Sequence, residues 1–140
     1  MTRAEILALL DERQAAIARR DVEALVRLHA EDCVLESLTA GTVKGRAATG
    51  EVYRAWFSAF PDMALTTDHV VIDGDRAVLV STVTGTDSGG FLGLPPSHKP
   101  FRVAIVQFYT FEDGSISHAR HIYDFTGLLL QIGVLKAKPA

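Results

Sequence analysis

The chain has 140 residues, 48% of them hydrophobic and 22% charged. That length and composition predict one soluble domain, residues 1–140, and exclude an intrinsically disordered chain. A formal net charge of -3 offers no basic field for nucleic acid, and the single Cys33 allows neither an intrachain disulfide nor a cysteine-based zinc site.

From the N-terminus, Ile6, Leu7, Leu9, Leu10 and Ile17, then Val22, Leu25, Val26 and Leu28, recur at three- and four-residue spacings. Residues 2–30 therefore read as two amphipathic helices, broken at Asp21, whose side chain can cap the second. No apolar leader opens the chain and no apolar run approaches the roughly 20 residues that a bilayer requires. The expectation is a cytoplasmic protein that makes no membrane contact.

Residues 33–38 alternate as a short strand, and the turn-rich stretch from Thr39 to Gly45 reads as a loop. A third helix follows over 46–60, with Val52, Tyr53, Trp56, Phe57 and Phe60 on one stripe and Pro61 as its stop. The period then changes to two. Segments 63–72, 76–87, 101–112 and 115–123 read as strands joined through Asp73-Gly74 and Asp113-Gly114 turns, that is, consecutive antiparallel hairpins. Gly85 to Pro100, rich in Gly and Pro, reads as a shaped rim loop. Phe125 to Ile132 returns to helical spacing before Gly133, and Lys136 to Ala140 reads as a free tail.

Helices followed by a meander of strands predict an α+β domain: a cone-shaped, curved antiparallel sheet wrapped around three N-terminal helices, with a short C-terminal helix. Three short helices cannot fill a strongly curved sheet to its mouth, so the architecture predicts a cavity.

A two-residue turn at Asp113-Gly114 sets the register of the last hairpin. It places Gln107 opposite Arg120, Tyr109 opposite His118, and Val103 opposite Asp124, on one face with Ile105 and Ile122. Ala104, Val106, Phe108, Thr110, Ser117, Ala119, His121 and Tyr123 fall on the other face, as core or as a dimer surface. A one-residue slip would exchange these relations.

Asp124 is the first catalytic candidate, because a carboxylate held in an apolar cavity gains proton affinity and can both take and return a proton. The same residue, or Thr126, can instead be the N-cap of the last helix. Gln107 could orient a substrate carbonyl or satisfy Arg120 across the ladder. Arg120 could stabilise an enolate oxygen or extend to solvent. Tyr53 and Trp56 could sandwich a ring or simply pack the core, and Glu36 is either a pocket acid or a solvated strand position. The five histidines have no metal-site spacing, so no metal is predicted. There is also no G-x-S-x-G elbow and no phosphate-binding loop.

Several short motifs then align with a known family. They are His29-Ala-Glu-Asp32, Lys44-Gly-Arg46, Ala59-Phe-Pro-Asp62, and the loop from Gly85-Thr to Phe91-Leu-Gly-Leu-Pro-Pro96. Tyr109-Thr-Phe-Glu-Asp-Gly114 and Tyr123-Asp124 before Leu128-Leu-Leu-Gln-Ile-Gly133 complete the series. In this order they resemble the SnoaL-like polyketide cyclases of the nuclear-transport-factor-like superfamily. The resemblance implies a cone fold, a small apolar substrate or ligand, no cofactor, and a homodimer formed through the sheet. It also implies Asp124 as the acid/base residue of an intramolecular aldol cyclisation or an isomerisation. Departures are Asp87 where His is frequent, Ser97-His98 for Thr-Gly, Arg120 for Trp, and Gln107 for an acid or His. Two alternatives remain: a non-catalytic binding or dimerisation module of the same fold, and an epoxide hydrolase-like enzyme. The second is weakened because Arg102 is followed by Val and Ala, with no Arg-x-Asp.

Overall fold

The computed structural model of the chain describes residues 1–137. The last three residues of the stretch read as a tail lie outside the described residues. In chain order the elements are α1 (Arg3–Ala18), α2 (Val22–Arg27), β1 (His29–Ser37), β2 (Gly41–Lys44), α3 (Arg46–Ala59), β3 (Ala64–Asp73), β4 (Arg76–Thr86), β5 (Pro100–Glu112), β6 (Ser115–Tyr123) and α4 (Phe125–Gln131). The six strands form one curved, unclosed sheet in the order β2-β1-β6-β5-β4-β3. This is the α+β architecture expected, with one difference. β1 runs parallel to β6, so the sheet is mixed, because the chain crosses from β2 through α3 before returning to the meander.

Local chemistry explains the helix boundaries. Thr2 and Glu5 form a reciprocal capping box at the start of α1. Asp21 accepts from the Ala24 amide at 3.0 Å and so starts α2, as its position predicts. The second helix is shorter than the hydrophobic spacing indicates, and β1 begins already at His29. The stretch from Thr39 to Gly45, expected to be a loop, contains the short edge strand β2. Gly41, at φ +72°, supplies the left-handed turn between β1 and β2 that an L side chain disfavours.

Ile6, Leu9, Leu10, Leu35, Leu79, Tyr109, Phe111 and Ile116 form one buried cluster between α1 and the sheet. At the other end Phe60, Phe91, Phe101, Leu128 and Ile132 join α3, the rim loop and α4. Asp87 is buried and holds the rim loop, accepting from the amides of Gly90 at 3.1 Å and Ser97 at 3.0 Å. Gly89 packs so tightly on α3 that an added Cβ would lie 1.8 Å from the Ser58 carbonyl oxygen. The loop is thereby fixed over the end of α3.

The last hairpin decides which side chains reach the interior. Its turn is as expected: Glu112 pairs with Ser115 and Phe111 with Ile116. Asp113 and Gly114 both have positive φ, +50° and +80°, as a two-residue hairpin turn of this kind requires. The register then shifts between Thr110 and Phe111, with Thr110 opposite His118, so that Ser117 is an extra residue on β6. Its hydroxyl donates to the Thr110 carbonyl at 3.1 Å. Beyond this bulge Gln107 faces His121, Tyr109 faces Ala119, and Ile105 faces Tyr123. The expected pairing of Gln107 with Arg120 is therefore corrected by one residue. Ala119, His121 and Tyr123 turn inward, while His118, Arg120 and Ile122 turn out.

Candidate active site

A cavity opens inside the cone, bounded by α1, α3 and the inner face of the sheet. Its apolar walls include Ile17, Val52, Trp56, Met63, Leu65 and Val83, and its polar groups come from Arg13, Ser37, Tyr53, Gln107, His121 and Tyr123. The water-accessible space is about 70 Å³. Val52 and Trp56 also line a wider groove of about 670 Å³ between α3, β2 and the rim loop. They therefore stand between the inner cavity and the surface. Trp56 is held edge-on by Phe91 and Tyr123, at centroid distances of 5.2 and 5.4 Å.

Arg13 is the unusual member. It sits on the inward stripe of α1 with Ile6, Leu9, Leu10, Ala16 and Ile17 and is only 1% exposed. Its guanidinium lies over the Tyr109 ring, 5.0 Å from the centroid, and among the described residues no carboxylate pairs with it. Its Nε makes no hydrogen bond. Burial works against the charge, but Tyr109 and Tyr53 beside it more than offset that effect and raise its pKa. Arg13 is thus a permanent cation in an apolar wall.

His121 approaches from β6, with its Nε2 3.3 Å from the Tyr109 hydroxyl. Burial pushes its pKa down to about 3, and the positive charge of Arg13 pushes the same way. The imidazole is accordingly neutral near pH 7. Burial likewise raises the Tyr109 and Tyr123 phenols, keeping both protonated. The Gln107 oxygen accepts from Ser81 at 3.4 Å, which leaves the amide nitrogen as the group that can donate. The Tyr53 and Tyr123 hydroxyls are buried and have no partner.

Of the residues singled out by sequence, Gln107, Tyr53 and Trp56 line this cavity. Asp124 does not. It is exposed and is the N-cap of α4, accepting from the Gly127 amide at 2.8 Å. A Cβ at position 127 would lie 2.1 Å from that carboxylate, so Gly127 and the cap fit together. Arg120 is exposed on the outer face of the sheet, as the bulge dictates. Glu36 lies beside it, pairing with His118 at 3.0 Å, and is not a cavity acid.

Sequence reasoning missed Arg13 and His121. The first carried a readable signal, a cation on an otherwise apolar helical stripe. The second was concealed by the Ser117 bulge. Among the described residues no group of three or more His, Cys, Asp or Glu side chains could hold a metal ion, and no helix is long and apolar enough to cross a membrane.

The fold and cavity can be set beside known proteins. Over 96% of this chain and 99% of the other, the structure matches TsrD from Streptomyces laurentii with 28% identity and a TM-score of 0.86. AclR from Streptomyces galilaeus, a candidate hydroxylase, matches with 28% identity and a TM-score of 0.85, over 99% of this chain and 87% of that one. IdmH from Streptomyces antibioticus, a candidate polyketide cyclase, is also 28% identical, with a TM-score of 0.77 over 90% and 96% of the two chains. No curated protein sequence matches significantly. The family model of the SnoaL-like polyketide cyclases matches residues 8–132, and with that span the chain belongs to this family.

Proposed function

We propose that the chain is a cofactor-independent enzyme that cyclises, by intramolecular aldol chemistry, or isomerises an apolar carbonyl compound inside the cone. The observation that carries this reading is the convergence of Arg13, Gln107 and His121 on one predominantly apolar cavity. Arg13 and Gln107 supply donors for a carbonyl oxygen that gains charge as a neighbouring C–H bond breaks. His121 is the titratable side chain beside them, and in this reading it takes the role that the resemblance implies for Asp124. The neutral imidazole removes the carbon-bound proton, the enolate attacks an internal carbonyl or is reprotonated at another carbon, and the imidazolium returns the proton.

The low proton affinity of His121 makes it a weak base in the empty site. Part of that weakness comes from the field of Arg13. An enolate beside the guanidinium cancels the field, so the two groups assist each other only when the oxyanion forms. At an effective dielectric of 20, an oxyanion about 4 Å from the cation gains about 4 kcal/mol, comparable to roughly three pKa units of base strength.

Carbon-acid exchange tests the reading without knowledge of the natural substrate. Ethyl benzoylacetate in D2O should lose its α-proton faster with the protein than in buffer. The gain should disappear in His121→Gln and persist in Asp124→Asn. Exchange at the buffer rate with the native protein contradicts the proposal. The homodimer implied by the family is assigned by the same reading to the outer face of the sheet, where Val80, Val106 and Ile122 lie side by side and Ile122 is 44% exposed. Sedimentation of native protein and Ile122→Lys tests it: a dimer that the substitution dissociates supports the assignment, and a native monomer overturns it.

A further inference from the structure

From the buried guanidinium of Arg13 in the cavity wall, which no carboxylate neutralises among the described residues and whose Nε has no partner, we infer that the ligand is an organic anion: a flat apolar body bearing a carboxylate or an ionised enol. The inference rests on the preceding proposal only in taking the cone cavity as the ligand site. It adds the charge of the molecule that enters.

A cation with 1% exposure and no carboxylate partner is costly to keep, because the apolar surroundings replace its hydration without returning an opposite charge. Among the described residues the offset comes from the Tyr109 ring at 5.0 Å and from Tyr53 beside it. Three of the five buried polar atoms without partners among the described residues point the same way, Arg20 Nε and His29 Nε2 lying outside the cavity lining. Arg13 Nε, the Tyr53 hydroxyl and the Tyr123 hydroxyl are buried polar atoms without partners, and all three belong to residues lining this cavity. Buried polar atoms are ordinarily satisfied, so three donors left open around one space fit an acceptor that the protein does not supply.

The sign of the charge is set by what surrounds the space. Among the described residues Arg13 is the only formally charged side chain in the lining, with no Asp or Glu to repel an anion. His121 is held neutral, and the Gln107 amide nitrogen adds another donor. Carboxylates and enolates accept from planar N–H donors, which a guanidinium presents better than an ammonium. The walls set the rest of the ligand. Trp56, Val52 and Leu65 offer flat and aliphatic surface for an apolar body.

The test compares 2-naphthoate with the isosteric 2-naphthamide at pH 7 by calorimetry. Trp56, the only tryptophan in the chain, reports occupancy by its fluorescence. The acid should bind at least tenfold more tightly than the amide, and Arg13→Met should abolish this preference, with acid affinity falling further than amide affinity. Equal affinity in the native protein overturns the anion inference while leaving the cavity as a ligand site. Absence of binding by both overturns the inference and the proposed function together. Preference surviving in Arg13→Met overturns the assignment to this residue. If Arg13→Met does not fold, Arg13→Lys carries the test: a compact charge in place of the planar fork should lower the preference severalfold, and an unchanged preference contradicts the role of the guanidinium.

Discussion

Replacing Arg13 by Met should make the protein more stable. Met keeps an unbranched apolar stem along the α1 stripe and removes the charge. Two quantities decide the sign. The effective penalty for burying an ion is several kcal/mol after relaxation, whereas a desolvated cation over an aromatic face recovers about 2 kcal/mol. The structure supplies the Tyr109 face, with Tyr53 beside it, and among the described residues no acid. The substitution should therefore gain about 1–3 kcal/mol, which for a domain of this length corresponds to roughly 3–10 °C in Tm. Urea unfolding followed by circular dichroism, at pH 7 and without ligand, measures it. A loss of 3–5 kcal/mol, the cost of breaking a satisfied buried ion pair, refutes the reasoning, because Arg13 would then have a compensating partner. The gain should also shrink when 2-naphthoate is present, since the ligand stabilises only the chain that retains the cation.

Three further outcomes follow from other parts of the molecule. Asp124→Ala removes the α4 cap and should cost about 1 kcal/mol of stability by denaturant unfolding, with naphthoate affinity unchanged; a lost affinity contradicts its placement outside the cavity. Acid should destabilise the fold below pH 6.5. His29 is fully buried, and burial lowers its pKa from 6.5 to about 4, so the unfolded chain binds the proton more readily and stability falls as pH drops through that window. His29 alone accounts for up to about 3 kcal/mol, and His121 adds in the same direction, so urea midpoints that stay flat from pH 7 to pH 4.5 refute the neutral burial of both. Deleting Ser117 removes the extra residue and leaves Thr110 opposite His118 and Gln107 opposite His121, so the ring should stay inward and carbon-acid exchange should survive in a folded protein; exchange lost in a folded variant contradicts Ser117 as the inserted residue.

The sequence made much of the architecture legible because its signals were local. The stripe through Tyr53, Trp56, Phe57 and Phe60 and the stop at Pro61 mark α3, and Asp113-Gly114 marks the hairpin turn whose first pairs are observed. What failed was the step from local to cross-strand geometry. One extra residue at Ser117 leaves the turn untouched yet exchanges the faces of everything beyond it on β6. Arg120 was thereby read as an interior residue and His121 as part of the opposite face. Asp124 shows a different limit. An acid before a helix satisfies the requirements of a cap and those of a base equally well in sequence, and only the position of the carboxylate separates them. Arg13 was legible in principle. Residues 6, 9, 10, 13, 16 and 17 share one helical face, and a lone cation among apolar neighbours there is a buried charge in search of a partner.

The most direct measurement is the proton NMR titration of the His121 ring, assigned by comparison with His121→Gln, in the free protein and with 2-naphthoate bound. The account predicts a ring that stays neutral down to pH 5 when the cavity is empty, and whose titration moves upward once an organic acid covers the charge of Arg13. A ring that titrates near 6.5 in the free protein, and whose resonances do not change on addition of the acid, contradicts it.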